Sequence, residues 1–188
     1  MNAPLRITLA DAVGFLESQS VAYALIGGLA ISVRAQPRAT VDVDLVIAAD
    51  VDRALALVDA LEGSTLAPLF DNVTQVVETA FILPLRHRQT NVKVDVAIGL
   101  SGFERQAIAR AQPMPLADST VSVATAEDLL IMKAMAGRPQ DEQDMRGIMI
   151  ARGDELDWDY CLSMAEKLGE AVGQDLLARL RALRRLGP

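Results

Sequence analysis

The sequence predicts an α/β (α+β) protein in which strands alternate with helices through residues 1–124 and helices alone fill residues 125–188. Three observations predict this. A short apolar run, Tyr23-Ala-Leu-Ile-Gly-Gly-Leu-Ala30, reads as a strand, a glycine turn and a helix start. Two further segments, Thr40-Val-Asp-Val-Asp-Leu-Val-Ile47 and Val92-Lys-Val-Asp-Val-Ala-Ile98, alternate acidic and apolar residues at the period of a strand. From Thr125 onward the pattern turns helical, opened by Thr125-Ala-Glu-Asp128, a plausible capping box.

The elements follow in order. Thr8-Leu-Ala-Asp11 resembles a capping box, and apolar residues at helical spacing predict a helix from about Thr8 to Ser20. Strand 22–26, helix 28–35 and strand 41–48 come next. Asp50 caps a helix to about Leu61, with Val51, Ala54, Leu55, Val58 and Leu61 on one stripe. Residues 73–87 and 92–98 read as two strands joined near Gln89-Thr-Asn91, so Asp95 arrives on the strand after a hairpin. A short helix near 102–110 and a strand near 119–124 close the α/β part. Helix 126–136 ends at Gly137, and Pro139 suits the first turn of a helix over about 139–151. Two more helices, near 158–168 and 170–185, complete a helical lobe.

The candidate chemistry lies in the acidic strands. Asp42 and Asp44, two apart, project from one face while Val41, Val43 and Leu45 turn toward a core. Adjacent carboxylates repel unless a cation lies between them. Asp95 on a neighbouring strand would complete an all-oxygen set suited to magnesium and phosphate chemistry. Gly27-Gly28 ahead of a helix offers backbone N–H groups and a dipole that favour phosphate. Lys133 interrupts a helix that is otherwise apolar all round, so its ammonium must reach water, an acid or a phosphate. Asp141 and Asp144, three apart, share a helix face.

Gly27-Gly28 followed by Arg38-Ala-Thr-Val-Asp-Val-Asp-Leu45 resembles the active-site signature of the DNA polymerase β-like nucleotidyltransferase superfamily. Glu127-Asp-Leu-Leu-Ile-Met-Lys133 with Gly137-Arg-Pro-Gln-Asp-Glu-Gln-Asp144 is similar, more narrowly, to the AbiEii-like nucleotidyltransferases, which include toxins of toxin–antitoxin systems. Two departures stand out: Gly28 where many superfamily members have serine, and Gln140 where related sequences often carry a basic residue. The resemblance implies a mixed sheet flanked by helices, and transfer of NMP from an NTP to an acceptor hydroxyl. It implies two magnesium ions on Asp42, Asp44 and Asp95, with Asp95 nearest the acceptor. Gly27, Gly28, Arg38, Thr40, Lys133, Asp141 and Asp144 are its nucleotide-side candidates. The acceptor it implies is an RNA 3′ end such as tRNA, or a protein hydroxyl, in a toxin partnered by an antitoxin. A small-molecule nucleotidyltransferase of the aminoglycoside-modifying kind is the runner-up, and a nucleotide-binding module without turnover is the alternative from another class.

Composition excludes several classes. No apolar run approaches the roughly 20 residues of a membrane helix, and nothing at the start resembles a signal peptide. One Cys and one His cannot build a tetrahedral zinc site, and the lone Cys161 reads as a buried thiol in a reducing cytoplasm. The net charge of −7 disfavours extended DNA or RNA binding. Two local basic patches remain as candidates for such contact: Arg86-His-Arg88 with Lys93 beside Asp95, for which a solvated hairpin tip is the alternative, and Arg179, Arg181, Arg184 and Arg185, read as cations at a helix C-terminus.

Overall fold

The computed structural model describes residues 1–116 and 119–187. Among them the helices are α1 (Ala3–Ser18), α2 (Gly27–Arg34), α3 (Val51–Asp59), α4 (Val73–Ala80), α5 (Gly102–Arg110), α6 (Ala126–Ala136), α7 (Pro139–Arg152), α8 (Trp158–Val172) and α9 (Leu176–Leu186). The strands are β1 (Tyr23–Ile26), β2 (Asp42–Ile47), β3 (Leu66–Pro68), β4 (Ile82–His87), β5 (Lys93–Ile98), β6 (Gln112–Leu116) and β7 (Ser119–Val123). The chain forms two compact units: Met1–Leu29 with Ala39–Ala124, and Ala30–Arg38 with Thr125–Pro188. The predicted α/β (α+β) class is the observed one.

The first unit is built on a mixed sheet in the order β3-β4-β5-β2-β1-β7-β6. β1 pairs antiparallel with β2 and parallel with β7, and β2 runs parallel to β5. Parallel pairing of β2 and β5 requires a crossover, which α3, β3, α4 and β4 supply. Val43, Leu45, Val94 and Val96 are fully or almost fully buried between the acidic positions, the alternation expected of half-buried strands. The sheet edge β6 carries Pro113 and Pro115, which lack N–H groups and so blunt strand addition there.

Four expectations are corrected. α1 starts at Ala3, capped by the Asn2 side chain, so Thr8 is no cap. It is buried inside the helix, its hydroxyl 2.6 Å from that of Thr90. Val41 is 80% exposed, because β2 begins only at Asp42. Residues 73–80 form α4 and not the first half of a strand: Val73 and Val77, four apart, are the buried pair of a helix. The hairpin tip is not wholly solvated, since His87 is fully buried. Its Nδ1 accepts the Thr90 N–H at 3.1 Å, which leaves Nε2 to donate to Asp11 at 2.9 Å. β3 and β6 were not expected.

The second unit packs α6 against α7, α8 and α9 around Leu129, Leu130, Ile131, Ile148 and Leu180. Thr125 caps α6 by accepting the Asp128 N–H, as predicted, and Cys161 is buried. Of the α9 arginines, Arg179 donates to the Ala134 carbonyl at the end of α6, and Arg184 lies 5.5 Å over the Trp158 ring. Arg184 and Arg185 stand in the last turn of α9, as expected of cations at a helix C-terminus.

Candidate active site

In the first unit, two paired strands carry the acidic positions into alignment. Asp44 of β2 pairs in register with Asp95 of β5, and Asp42 with Lys93. Directly aligned residues on neighbouring strands share a face, so Asp42, Asp44, Lys93 and Asp95 occupy four adjoining places on one side of the sheet. On the other flank of β2, Ile26 is in register with Asp44, and Gly27 follows it as the first residue of α2.

Gly27 has φ +63°, a left-handed conformation that strains any residue with a side chain. It is also crowded: a Cβ there would lie 1.9 Å from Asp44 Oδ2 and 2.6 Å from Asp44 Cβ. The Asp44 carboxylate thus rests against the start of α2, where the helix dipole favours negative charge. Gly27 was predicted as part of a phosphate cradle. In the structure it also admits Asp44.

Each acid has its own setting. Asp42 accepts a hydrogen bond from the Thr40 hydroxyl at 2.9 Å. Asp95 is turned toward Lys93, whose ammonium stands 2.6 Å from Oδ2, with the two side chains 26% and 45% exposed. Asp44 is taken up beside Gly27. Among the described residues no three His, Cys, Asp or Glu side chains converge as a metal-holding group. The expected convergence of Asp42, Asp44 and Asp95 is met in backbone register and not in side-chain direction, because each carboxylate leans on a different neighbour. The donor set nevertheless fits magnesium in chemistry: three carboxylates on adjoining positions of two paired strands.

The second unit holds the other predicted residues in one ion-pair network. Lys133, 7% exposed, lies 2.9 Å from Asp141 Oδ1 and 2.8 Å from Asp144 Oδ2. Arg38 donates from one terminal nitrogen to both Asp144 oxygens at 3.0 and 3.2 Å, while its buried Nε has no partner among the described residues. Arg138 donates to Asp141 through Nε, Nη2 and its backbone N–H. Burial pushes the Asp141 carboxyl up, but Arg138 and Lys133 outweigh it and hold the pKa at about 2. Of the outcomes open to Lys133, the structure shows the acid. The Arg38–Asp144 pair joins residues 106 apart, and no local pattern announces it.

The fold is one shared with nucleotidyltransferases. The solution structure of the antibiotic-resistance factor ANT(2'')-Ia matches 94% of this chain and 91% of its own at 12% identity, TM-score 0.53. The crystal structure of ANT(2'')-Ia in complex with adenylyl-2''-tobramycin matches 94% and 97% at 14% identity, TM-score 0.53. An antigenic nucleotidyltransferase-like protein from Paracoccidioides brasiliensis matches 77% and 73% at 20% identity, TM-score 0.48. Among curated proteins no sequence matches the chain. Over residues 12–179 the chain belongs to the nucleotidyltransferase family of unknown function DUF6036.

Proposed function

We propose that this protein transfers NMP from an NTP to an acceptor hydroxyl, with magnesium held by Asp42, Asp44 and Asp95. The observation that carries the reading is the register of Asp44 with Asp95, beside a Gly27 whose lack of a side chain leaves room for the Asp44 carboxylate. The acceptor oxygen forms a bond to the α-phosphorus, the bond from that phosphorus to the bridging oxygen breaks, and pyrophosphate leaves. Magnesium, two ions by the resemblance, supplies charge stabilisation at the attacking and leaving oxygens. Asp95 accepts the hydroxyl proton. Thr40 orients Asp42 through its hydrogen bond. The N–H groups of Gly27 and Gly28 and the dipole of α2 hold the outgoing phosphates. Lys133, Asp141 and Asp144 position one another and Arg38 within the second unit.

For the acceptor, the AbiEii-like motifs support an RNA 3′ end or a protein hydroxyl, with this chain the toxin of a toxin–antitoxin pair. Two observations favour a second reading, a small cationic acceptor: the net charge of −7, which attracts cations, and a fold matching that of ANT(2'')-Ia, solved with adenylyl-2''-tobramycin. Incubation with magnesium, each α-labelled NTP, and bulk tRNA, a cell extract or aminoglycosides separates the two. Label should move to one acceptor class with the intact protein. With Asp42→Ala it should not move, while the melting temperature stays within a few degrees. No transfer and no nucleotide-induced stabilisation in any sample would sink the nucleotidyltransferase reading.

A further inference from the structure

We propose that Lys93 is the acid face's own counterion, a positioning residue that holds Asp95 in the absence of a divalent cation and releases it when one binds. The inference rests on the nucleotidyltransferase reading above. Lys93 and Asp95 are two apart on β5, share its exposed face, and form an ion pair of 2.6 Å. Parallel register places Lys93 beside Asp42 and Asp95 beside Asp44, so Lys93 is the one cationic position among the four adjoining places of the acid face. From the other side, antiparallel register puts Arg86 beside Lys93 and Pro84 beside Asp95. Like charges directly opposite each other repel, so Arg86 disfavours a Lys93 that leans away from the acids. Arg86 itself donates to the neutral side chain of Asn91 at 3.3 Å.

The chemistry of the side chain suits a counterion that can leave. Lysine carries a point charge on a flexible stem, and this one is nearly half exposed, so its ammonium can withdraw into water without dragging the strand with it. A divalent ion bound by Asp95 would stand within a few ångströms of that ammonium and repel it strongly. The Lys93–Asp95 pair and the ion-bound state therefore exclude one another, and Lys93 lowers the affinity of the face for free magnesium.

Titrating magnesium calorimetrically into metal-stripped, nucleotide-free full-length protein tests this. Lys93→Gln should bind magnesium roughly two- to fivefold tighter than wild type, the range set by a partly exposed ion pair. Lys93→Arg should bind like wild type. Metal-free Lys93→Gln should melt lower than wild type, and the magnesium-saturated forms should melt alike. A second readout uses the unaltered protein: acetylation of Lys93, followed by mass spectrometry, should speed up on adding magnesium while that of Lys167 does not. Equal or weaker magnesium affinity in Lys93→Gln, or unchanged Lys93 acetylation, overturns the proposal. If wild type still transfers nucleotide and Asp42→Ala does not, only the role of Lys93 has failed. A wild-type protein that binds no magnesium and transfers no nucleotide overturns both.

Discussion

Gly27 carries two constraints at once, and an alanine there meets both. Its φ of +63° costs an L residue roughly 1–2 kcal/mol, and the new methyl group would lie 1.9 Å from Asp44 Oδ2, so the carboxylate must swing away. Gly27→Ala should therefore lower unfolding free energy by about 1–3 kcal/mol in a urea titration. It should also cut nucleotidyl transfer at least tenfold, far out of proportion to that loss. Asp141 makes a different prediction. Its folded pKa, about 2, lies below the ordinary value of 3.8, so the charged form is what the fold favours. The contribution is complete above pH 4 and disappears as pH falls from about 4 toward 2. A shift of that size is worth about 2 kcal/mol. Urea midpoints measured from pH 5 to pH 2 should fall in that window, and Asp141→Asn should flatten the fall.

At the scale of elements, one buried ammonium ties α6 to α7 beside their apolar packing. Lys133 on α6 reaches Asp141 and Asp144 on α7, and all three are buried. Lys133→Met would leave two carboxylates facing an apolar side chain, with Arg138 and Arg38 as the partners still bonded to them. The expected cost is about 3 kcal/mol, read from chemical denaturation. Adding Asp144→Asn should recover part of it, which a double-mutant cycle would measure. Lys133 among apolar residues made its need for water, an acid or a phosphate legible in the sequence, while the choice of the acids depends on how α6 and α7 pack. Asp42, Asp44 and Asp95 were legible for a similar reason, since strand alternation places each from its own neighbours. The contact of Asp44 with Gly27 was not, because it depends on the β1–β2 register. Among the elements, Val73-Thr-Gln-Val-Val-Glu-Thr79 looked like a strand through its β-branched residues, yet burial of Val73 and Val77 decided for a helix. β3 is three residues long and β6 holds two prolines, so neither shows the alternation that marks a central strand. For α1, Asn2-Ala-Pro4 was a start signal: Asn2 caps and proline sits in the first turn.

At the scale of the molecule, the chain crosses between its two units three times, after Leu29, after Arg38 and after Ala124. A cut after residue 124 is the division that sequence pattern suggests, and it separates Ala30–Arg38 from the helices with which that segment clusters. Ala30 and Ile31 are almost wholly buried, and Arg34 is 7% exposed. Within the second unit, Arg152 donates to the Arg34 carbonyl at 3.2 Å and Arg38 bonds Asp144. A fragment of residues 1–124 lacks those partners. Exposing Ile31 alone forfeits about 1.5–3 kcal/mol, a large share of the 5–15 kcal/mol typical of a whole domain. The fragment should therefore show no single cooperative melting transition and should bind a hydrophobic dye, whereas the full chain melts sharply. Co-expression with residues 125–188 as a separate chain should restore the transition, because the missing groups are then supplied without the covalent link. A fragment 1–124 that melts cooperatively alone, with no dye binding, would show instead that Ala30–Arg38 needs nothing from the C-terminal helices, and that 124 is a true domain boundary.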